Sequence, residues 1–354
     1  MNYALIGCGR IAKHHIVSAK KCGLNILALC DLDFKKAVSY AETYNLSNDT
    51  KIYQDYKKMI SENQIELISI ATESGNHARL AEELIECGIN VIVEKPLALN
   101  IDDADRIVRL SRERKVKACV CHQNRFNPAV QILREAVEQG CFGKITHGSV
   151  HIRWNRDAEY YSRDTWRGTW LQDGGALMNQ SIHGIDLLIW LIGGRVTKVF
   201  GTLRNFNHPY IQAEDFGMAV LQFDNGAVAT IEGTTDVFKQ SEEACLCLYG
   251  LNGSAKIGGA TFNNIESFNF GDSIAEPEKI LVSEHVKNVY GNSHPKVFED
   301  VLRAIEKDDL PCTDVSQGRN AVEVVLAIYK SFKSGMAVSL PMKNFSTADM
   351  KGTF

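Results

Sequence analysis

No run of 18 apolar residues occurs anywhere in the chain, so the sequence offers no candidate for a spanning helix. Neither sign of charge prevails: 39 Lys and Arg face 43 Asp and Glu, a formal net charge of −4. Without an overall basic field, a nucleic-acid binder held by phosphate contacts is not expected. The ten cysteines include no C-x-x-C pair, and no second ligand cluster with zinc spacing follows, so no metal site is expected. The only close pairs, Cys119/Cys121 and Cys245/Cys247, would each share one face of a strand and read as small buried side chains in a reducing compartment. The opening MNYALIGCGR has neither a basic n-region nor a long apolar h-region and enters a strand directly. Together these absences predict a cytoplasmic protein with no membrane and no nucleic-acid partner. Internal repeats and low-complexity tracts are absent as well.

What is present is ordinary globular composition, 45% hydrophobic and 23% charged, in 354 residues, more than one average domain. Residues 1–122 alternate short apolar runs (3–7, 26–31, 66–72, 90–96 and 117–122) with amphipathic segments (11–22, 34–44, 54–62, 76–87 and 102–115). Strands alternating with helices require right-handed crossovers, which predicts an α/β N-terminal Rossmann domain on a parallel sheet. Its ligand belongs beyond the carboxyl ends of the strands. From residue 123 the pattern changes. Helices over about 127–139 and 174–192 precede alternating β-rich segments with Asn225-Gly226 and Asn252-Gly253 hairpin turns, the run KILVS, and helices near 294–307 and 317–334. Residues 123–354 are therefore expected to form an α+β C-terminal domain with a large open, mainly antiparallel sheet, serving substrate binding and oligomerisation.

The turn GCGRIA, residues 7–12, follows the first strand and opens the first helix. Gly7 permits the tight turn, Gly9 lets a pyrophosphate approach the backbone, and Ala12 keeps the helix close to the sheet, with Arg10 and Ile11 at the helix entrance. Asp31 ends the second strand 22 residues after Gly9, where a carboxylate accepts from ribose hydroxyls and repels a 2′-phosphate. NAD is thus favoured over NADP, although Arg10 could accept that phosphate. The run VIVEKP ends a strand with Glu94 and Lys95; Pro96 restricts Lys95 to extended geometry, which makes it a candidate for proton transfer or hydroxyl orientation. Thr72, Asn76 and His77 precede a helix and could cap it or meet the cofactor. Gln123 and Arg125, at the domain crossing, fit contacts to nicotinamide or substrate as well as hinge packing.

Within DGGALMNQSIHGIDLLIW, residues 173–190, the glycine pair Gly174/Gly175 leads an apolar helix that carries Asn179 and His183 at positions i and i+4, on one face. Segment 151–167 holds Arg153, Arg156, Arg163 and Arg167 among Trp154, Tyr160, Tyr161 and Trp166. Guanidinium forks bind carboxylate and diphosphate bidentately and aromatic rings stack on a sugar or a base, so an anionic substrate is expected there; Asp157, Glu159 and Asp164 are the offsetting charges of a solvated loop.

The GCGRIA turn, Asp31, the EKP triplet and a helix with an acid or amide four residues before a histidine follow one another as in the Gfo/Idh/MocA oxidoreductases, which the chain resembles over essentially its whole length. The resemblance implies NAD in the Rossmann domain, nicotinamide against the open sheet, and Lys95 with His183 acting on a sugar or cyclitol hydroxyl. The family's usual D-x-x-x-H has Asn179 at its first position here. Asparagine cannot take a proton, so either Lys95 or His183 is the base and Asn179 an orienting group. The stretch YYSRDTWRGTWLQDGGALMNQSIHGIDLLIWLIGG further resembles the bacterial UDP-N-acetylglucosaminuronate 3-dehydrogenases of the WlbA/WbpB type, implying oxidation of the C3 hydroxyl of a UDP-linked N-acetylated uronic acid to a 3-keto sugar. Three alternatives stay open: a dehydrogenase of another sugar or cyclitol, an NAD-dependent glycoside hydrolase, and a non-catalytic nucleotide sensor, against which Lys95 and His183 weigh. The open sheet face would need covering, which predicts a homodimer or homotetramer.

Overall fold

The computed structural model describes residues 1–241, 243–270 and 291–354. The first part runs β1 (Asn2–Ile6), α1 (Ala12–Lys21), β2 (Asn25–Cys30), α2 (Phe34–Thr43), β3 (Lys51–Tyr53), α3 (Tyr56–Glu62), β4 (Leu67–Ile70), α4 (His77–Glu86), β5 (Asn90–Val93), α5 (Ile101–Arg114) and β6 (Ala118–Val120). Its six strands are all parallel, in the order β3-β2-β1-β4-β5-β6. Tyr3, Ala4 and Leu5 of β1 and every residue of β4 are buried, as strands covered on both faces must be. Side-chain acceptors start three of the helices: Asp33, Asp55 and Asn100 take the N–H groups of Lys35, Lys57 and Asp102 at 3.1, 2.8 and 2.9 Å. The first helix has no such cap.

The chain continues through α6 (Pro128–Glu138), β7 (Ile145–Arg153), α7 (Ala158–Ser162), a π-helical turn (Leu177–Ser181), α8 (Ile182–Ile192), β8 (Val196–Arg204), β9 (Phe216–Phe223), β10 (Val228–Thr234), β11 (Glu243–Gly250), β12 (Gly253–Gly258), β13 (Asn264–Phe270), α9 (His294–Lys307), α10 (Val315–Ser334) and β14 (Val338–Ser339). The second sheet has eight strands in the order β13-β12-β11-β7-β10-β9-β8-β14. All its pairs are antiparallel except β7 with β10. Helix α8 lies on one face: a Cβ on Gly184 would stand 2.7 Å from Val150 and Ile152, and one on Gly148 would stand 3.1 Å from Leu188. On the other face Phe200, Met218, Val220 and Val228 are exposed, so among the described residues β8, β9 and β10 are covered on one side.

Two compact units result, Met1–Gln123 with Ser293–Arg319, and Asn124–Asn292 with Asn320–Phe354. A single boundary between residues 122 and 123 therefore does not describe the chain, because a late segment rejoins the first unit. The reason is an apolar stripe: Val297, Phe298, Val301 and Ala304 of α9 are buried, Phe298 packs its ring 5.8 Å from Tyr3, and His294 stacks on His14 at 4.7 Å. Beyond α9, the carbonyl of Thr313 accepts from Val120 at 2.8 Å. Periodicity alone also missed β3, only three residues long, and read Ala158–Ser162 as loop. The expected strand KILVS lies outside the described residues.

One buried ion pair anchors the second unit. Arg125, 1% exposed, grips Asp186 of α8 with Nε to Oδ2 at 2.7 Å and Nη2 to Oδ1 at 2.6 Å, and lies 4.7 Å over Trp190. Removing one partner of such a pair strands a charge in the interior, which costs about 3–5 kcal/mol. Asp186→Ala is thus expected to lower the urea-unfolding free energy by that amount, and Arg125→Met in the same background to restore part of it; an Asp186→Ala protein as stable as wild type would contradict the assignment.

Candidate functional site

In the first unit the carboxyl ends of β1, β2, β4 and β5 bring Gly7, Asp31, Thr72 and Lys95 to one edge of the sheet. Gly7 has φ +94°, and a Cβ there would lie 2.6 Å from the backbone of Ala71, so only glycine lets β1 turn at the point where the strand order reverses. Around Gly9 the space a Cβ would fill is open, with no atom within 4 Å. Ala12 is fully buried, and Ile11 at the head of α1 supplies no side-chain acceptor; Ala12 N and His14 N donate to the carbonyls of Gly9 and Ile11 at 3.1 and 2.9 Å, and the positive end of the helix meets an anion with no competing side-chain cap. Half-buried Arg10 flanks this helix start. Asp31 is braced against the same turn: Oδ2 accepts from Cys8 N at 2.7 Å and Oδ1 from Asp33 N at 2.8 Å. An open glycine turn, an uncapped helix start and a carboxylate at the end of β2 form a cradle that fits the pyrophosphate and ribose of a dinucleotide.

Two residues expected at the cofactor are occupied elsewhere. His77 is buried, with Nδ1 2.7 Å from the Pro96 carbonyl and Nε2 3.1 Å from the Thr72 carbonyl, so it ties the loop after β4 to the loop after β5. Burial lowers its pKa, favouring the neutral ring. Glu94 is buried beside fully buried His15, whose Nε2 stands 2.8 Å from Oε1. Burial would raise the Glu94 carboxyl, but the His15 hydrogen bond and the charges of His15, His294 and Lys95 hold it well below the carboxylate range. Nothing in the sequence singled out His15, since its partner is 79 residues away. The ligand atoms of His15, Glu94 and Cys121 lie within 4.8 Å of one another, yet the 2.8 Å contact is a hydrogen-bond distance. Asn76 bonds to Glu73 beside the start of α4, Thr72 Oγ1 donates to the Glu73 carbonyl at 3.3 Å, Gln123 is buried, and Lys95 is half-buried.

In the second unit Asn179 lies within the π-helical turn, not in a regular helix as the i, i+4 spacing predicts, and His183 belongs to the first turn of α8. π-turns concentrate at functional sites because they re-aim side chains. The glycine pair creates close approach, but to protein: a Cβ on Gly175 would fall 2.0 Å from Glu214 Oε2. Asn179 Nδ2 donates to Asp173, and Gln180 Nε2 donates both to Asn179 Oδ1 and to the Tyr160 hydroxyl, the latter at 3.0 Å. Arg167 reaches the same hydroxyl at 2.8 Å, while Arg156 donates to Gln180 Oε1 at 2.9 Å and stacks over Trp154 and Tyr160. Asn179, Tyr160, Arg156 and Arg167 are thereby gathered into one network. Its unforeseen members, Asp173 and Gln180, are polar residues flanking Asn179 in an apolar stretch, a signal the sequence did offer.

The remaining residues expected at substrate are placed otherwise. Arg125 is spent on Asp186. Arg153 sits on β7 in phase with His151, on the sheet face opposite α8, and is neutralised by Glu232 (2.6 Å) and Glu243 (2.8 Å). Arg163 is exposed and paired with Glu159. Tyr161 is buried, its hydroxyl 3.1 Å from Thr235 Oγ1, as a wall behind Tyr160.

A model described as an oxidoreductase family with NAD-binding Rossmann fold matches residues 1–122, and a GFO/IDH/MocA C-terminal domain model matches residues 130–256. Among solved structures, the WlbA dehydrogenase from Bordetella pertussis in complex with NADH and UDP-GlcNAcA is 31% identical, with TM-score 0.86 over 97% of this chain and 99% of that one. The WlbA dehydrogenase from Chromobacterium violaceum, with the same two ligands, is 30% identical, with TM-score 0.87 over 97% of each chain. The scyllo-inositol 2-dehydrogenase (NAD(+)) of Bacillus subtilis is 22% identical across 97% of both chains.

Two outcomes follow from this geometry. Asp31→Ser removes the carboxylate at the end of β2, so NAD should bind more weakly and the discrimination against NADP should narrow; fluorescence titration with both nucleotides checks this, and wild type preferring NADP would contradict it. Glu214, fully buried, is driven up to about 8 by burial, against the lowering effect of the Leu177 N–H and the Tyr329 hydroxyl. The folded state thus holds a proton that the unfolded chain releases near 4.5. Its stabilisation is complete below that value and lost as pH rises towards 8, by at most about 1.4 kcal/mol per pH unit. Glu214→Gln should therefore become progressively more stable relative to wild type between pH 5 and 8, whereas parallel stability curves would exclude a neutral Glu214.

Proposed function

The chain belongs to the GFO/IDH/MocA oxidoreductase family and is an NAD-dependent enzyme, and from that premise we propose that it oxidises the C3 hydroxyl of a UDP-linked N-acetylated uronic acid to a 3-keto sugar. The observation that carries this reading is the network in which Arg156, Arg167 and Tyr160 meet Gln180 beside Asn179. Two guanidinium groups and stacked aromatic rings next to a hydroxyl-orienting amide suit an anionic, ring-bearing substrate. The UDP-GlcNAcA held by the two WlbA relatives is such a molecule.

In this reading Lys95 and His183 serve one substrate hydroxyl, one of them taking its proton, while Asn179 fixes its direction by hydrogen bonding. Asp173 holds the Asn179 amide, and Gln180 links it to the groups that bind the anion, so orientation and charge recognition are mechanically joined. NAD, when bound, supplies the hydride acceptor. The exposed row Phe200, Met218, Val220 and Val228 supports a homodimer or homotetramer in which a second copy covers the open sheet face.

The test is turnover of UDP-linked N-acetylglucosaminuronic acid with NAD, followed by reduced-nicotinamide absorbance and by mass spectrometry of a sugar lighter by two hydrogens. Lys95→Ala or His183→Ala should lower kcat roughly 100-fold or more with NAD still bound, Asn179→Ala should cost less, and the Lys95/His183 double variant should be non-additive. Preference for a neutral sugar or cyclitol, or normal kcat in His183→Ala, would overturn the proposal.

A further inference from the structure

Cys245 and Cys247 are two residues apart on β11, so their side chains share one face of the sheet, in register with His151 and Ser149 of β7. This is the face opposite α8. Their sulfurs are 3.9 Å apart, with Cys245 buried and Cys247 half-buried. The exposed apolar row of that face lies on β8, β9 and β10, beyond β7. Around the thiols the surface is polar: Lys256, opposite Cys247, pairs with Glu266 at 2.7 Å, and His147 stacks on Tyr249 at 4.5 Å.

Two covalent outcomes are open to a thiol pair, and the strand decides between them. A disulfide requires Cβ atoms about 3.8 Å apart. Residues i and i+2 of an extended strand are separated by roughly 6.7 Å, so the sulfurs can bond only if β11 is broken. A bridging ion asks for less. Two thiolates at about 2.3 Å from a tetrahedral zinc ion stand about 3.8 Å from one another, the spacing already present.

We propose that Cys245 and Cys247 form a two-thiolate binding site for a soft, thiophilic metal ion of the zinc class on the open face of the second sheet. Solvent completes the coordination beyond the two thiolates, and His151, in register opposite Cys245, lies on the same face. Binding forms two sulfur–metal bonds, releases two thiol protons to solvent and displaces two waters from the ion, with no change of oxidation state. The site is independent of the substrate reading above.

Cadmium(II) titration of the chelator-treated, reduced full-length protein tests this through the thiolate-to-cadmium charge-transfer band in the near ultraviolet. Wild type should give a band saturating at one equivalent. Cys245→Ser and Cys247→Ser should each lower it at least ten-fold, while exposed Cys87→Ser should keep it. An undiminished band in either site variant, or no saturable band in wild type, would overturn the proposal. Should a serine variant fail to fold, alkylation of wild type with and without zinc(II), read by peptide mass, replaces it: Cys245 and Cys247 should be protected by the ion, and unprotected thiols reject the site. Diamide oxidation supplies the second arm: a Cys245–Cys247 disulfide in the digest would refute the geometric argument, and two free thiols would support it.

Discussion

Five polar side chains, Asn179, Gln180, Ser181, His183 and Asp186, are buried along one largely apolar helical run, and the partners they recruit organise the second unit. The run is committed to burial because its apolar residues and Gly184 press onto β7. Three of them recruit partners from other segments: Asp186 takes Arg125, Asn179 takes Asp173, and Gln180 takes Tyr160 and Arg156. Packing therefore positions the network, and the network in turn holds the segment 154–173 against the helix entrance. Both Asn179 and Gln180 join it from the π-turn.

The first unit meets a comparable constraint with different means. Its parallel sheet is covered on both faces, so polar chemistry is confined to the edge where the strands end. Glu94 marks that boundary. Its backbone follows β5 at the edge, but its carboxylate points into the core and is satisfied by His15 of α1, the same helix whose first turn faces the glycine loop. One buried contact thus couples the dinucleotide turn to the residue before Lys95. His77 adds a second brace, its two ring nitrogens facing carbonyls from the loops after β4 and β5, one of which takes the single N–H of the neutral ring.

Much of this was legible because local patterns carry it. Apolar runs and amphipathic segments located five of the six parallel strands and their helices, and the Asn225-Gly226 and Asn252-Gly253 turns marked the β9–β10 and β11–β12 hairpins. Features that depend on a distant partner were not legible. The parallel pairing of β7 with β10, the return of α9 to the first unit, the Arg125–Asp186 pair and the His15–Glu94 contact each join residues tens of positions apart or more. The face on which Arg153 lies is set by the parity of β7, which continues to that residue, and composition cannot reveal parity.

The four arginines of segment 151–167 show how partner chemistry separates anion binders from structural cations. Arg153 lies between two carboxylates and Arg163 beside one, so their fields are cancelled locally. Arg167 is half-buried and shares its charge between Asp164 and the ring and hydroxyl of Tyr160. Arg156 differs from all three. Its partners, Gln180 Oε1, the Asn155 carbonyl and the rings of Trp154 and Tyr160, are neutral. Neutral acceptors satisfy the N–H groups of a guanidinium without cancelling its charge, and partial burial reduces the screening that water would provide. Arg156 thus projects the least compensated positive field of the segment, and it does so from within the network that holds Asn179. An incoming anion would there gain attraction without first having to displace a carboxylate.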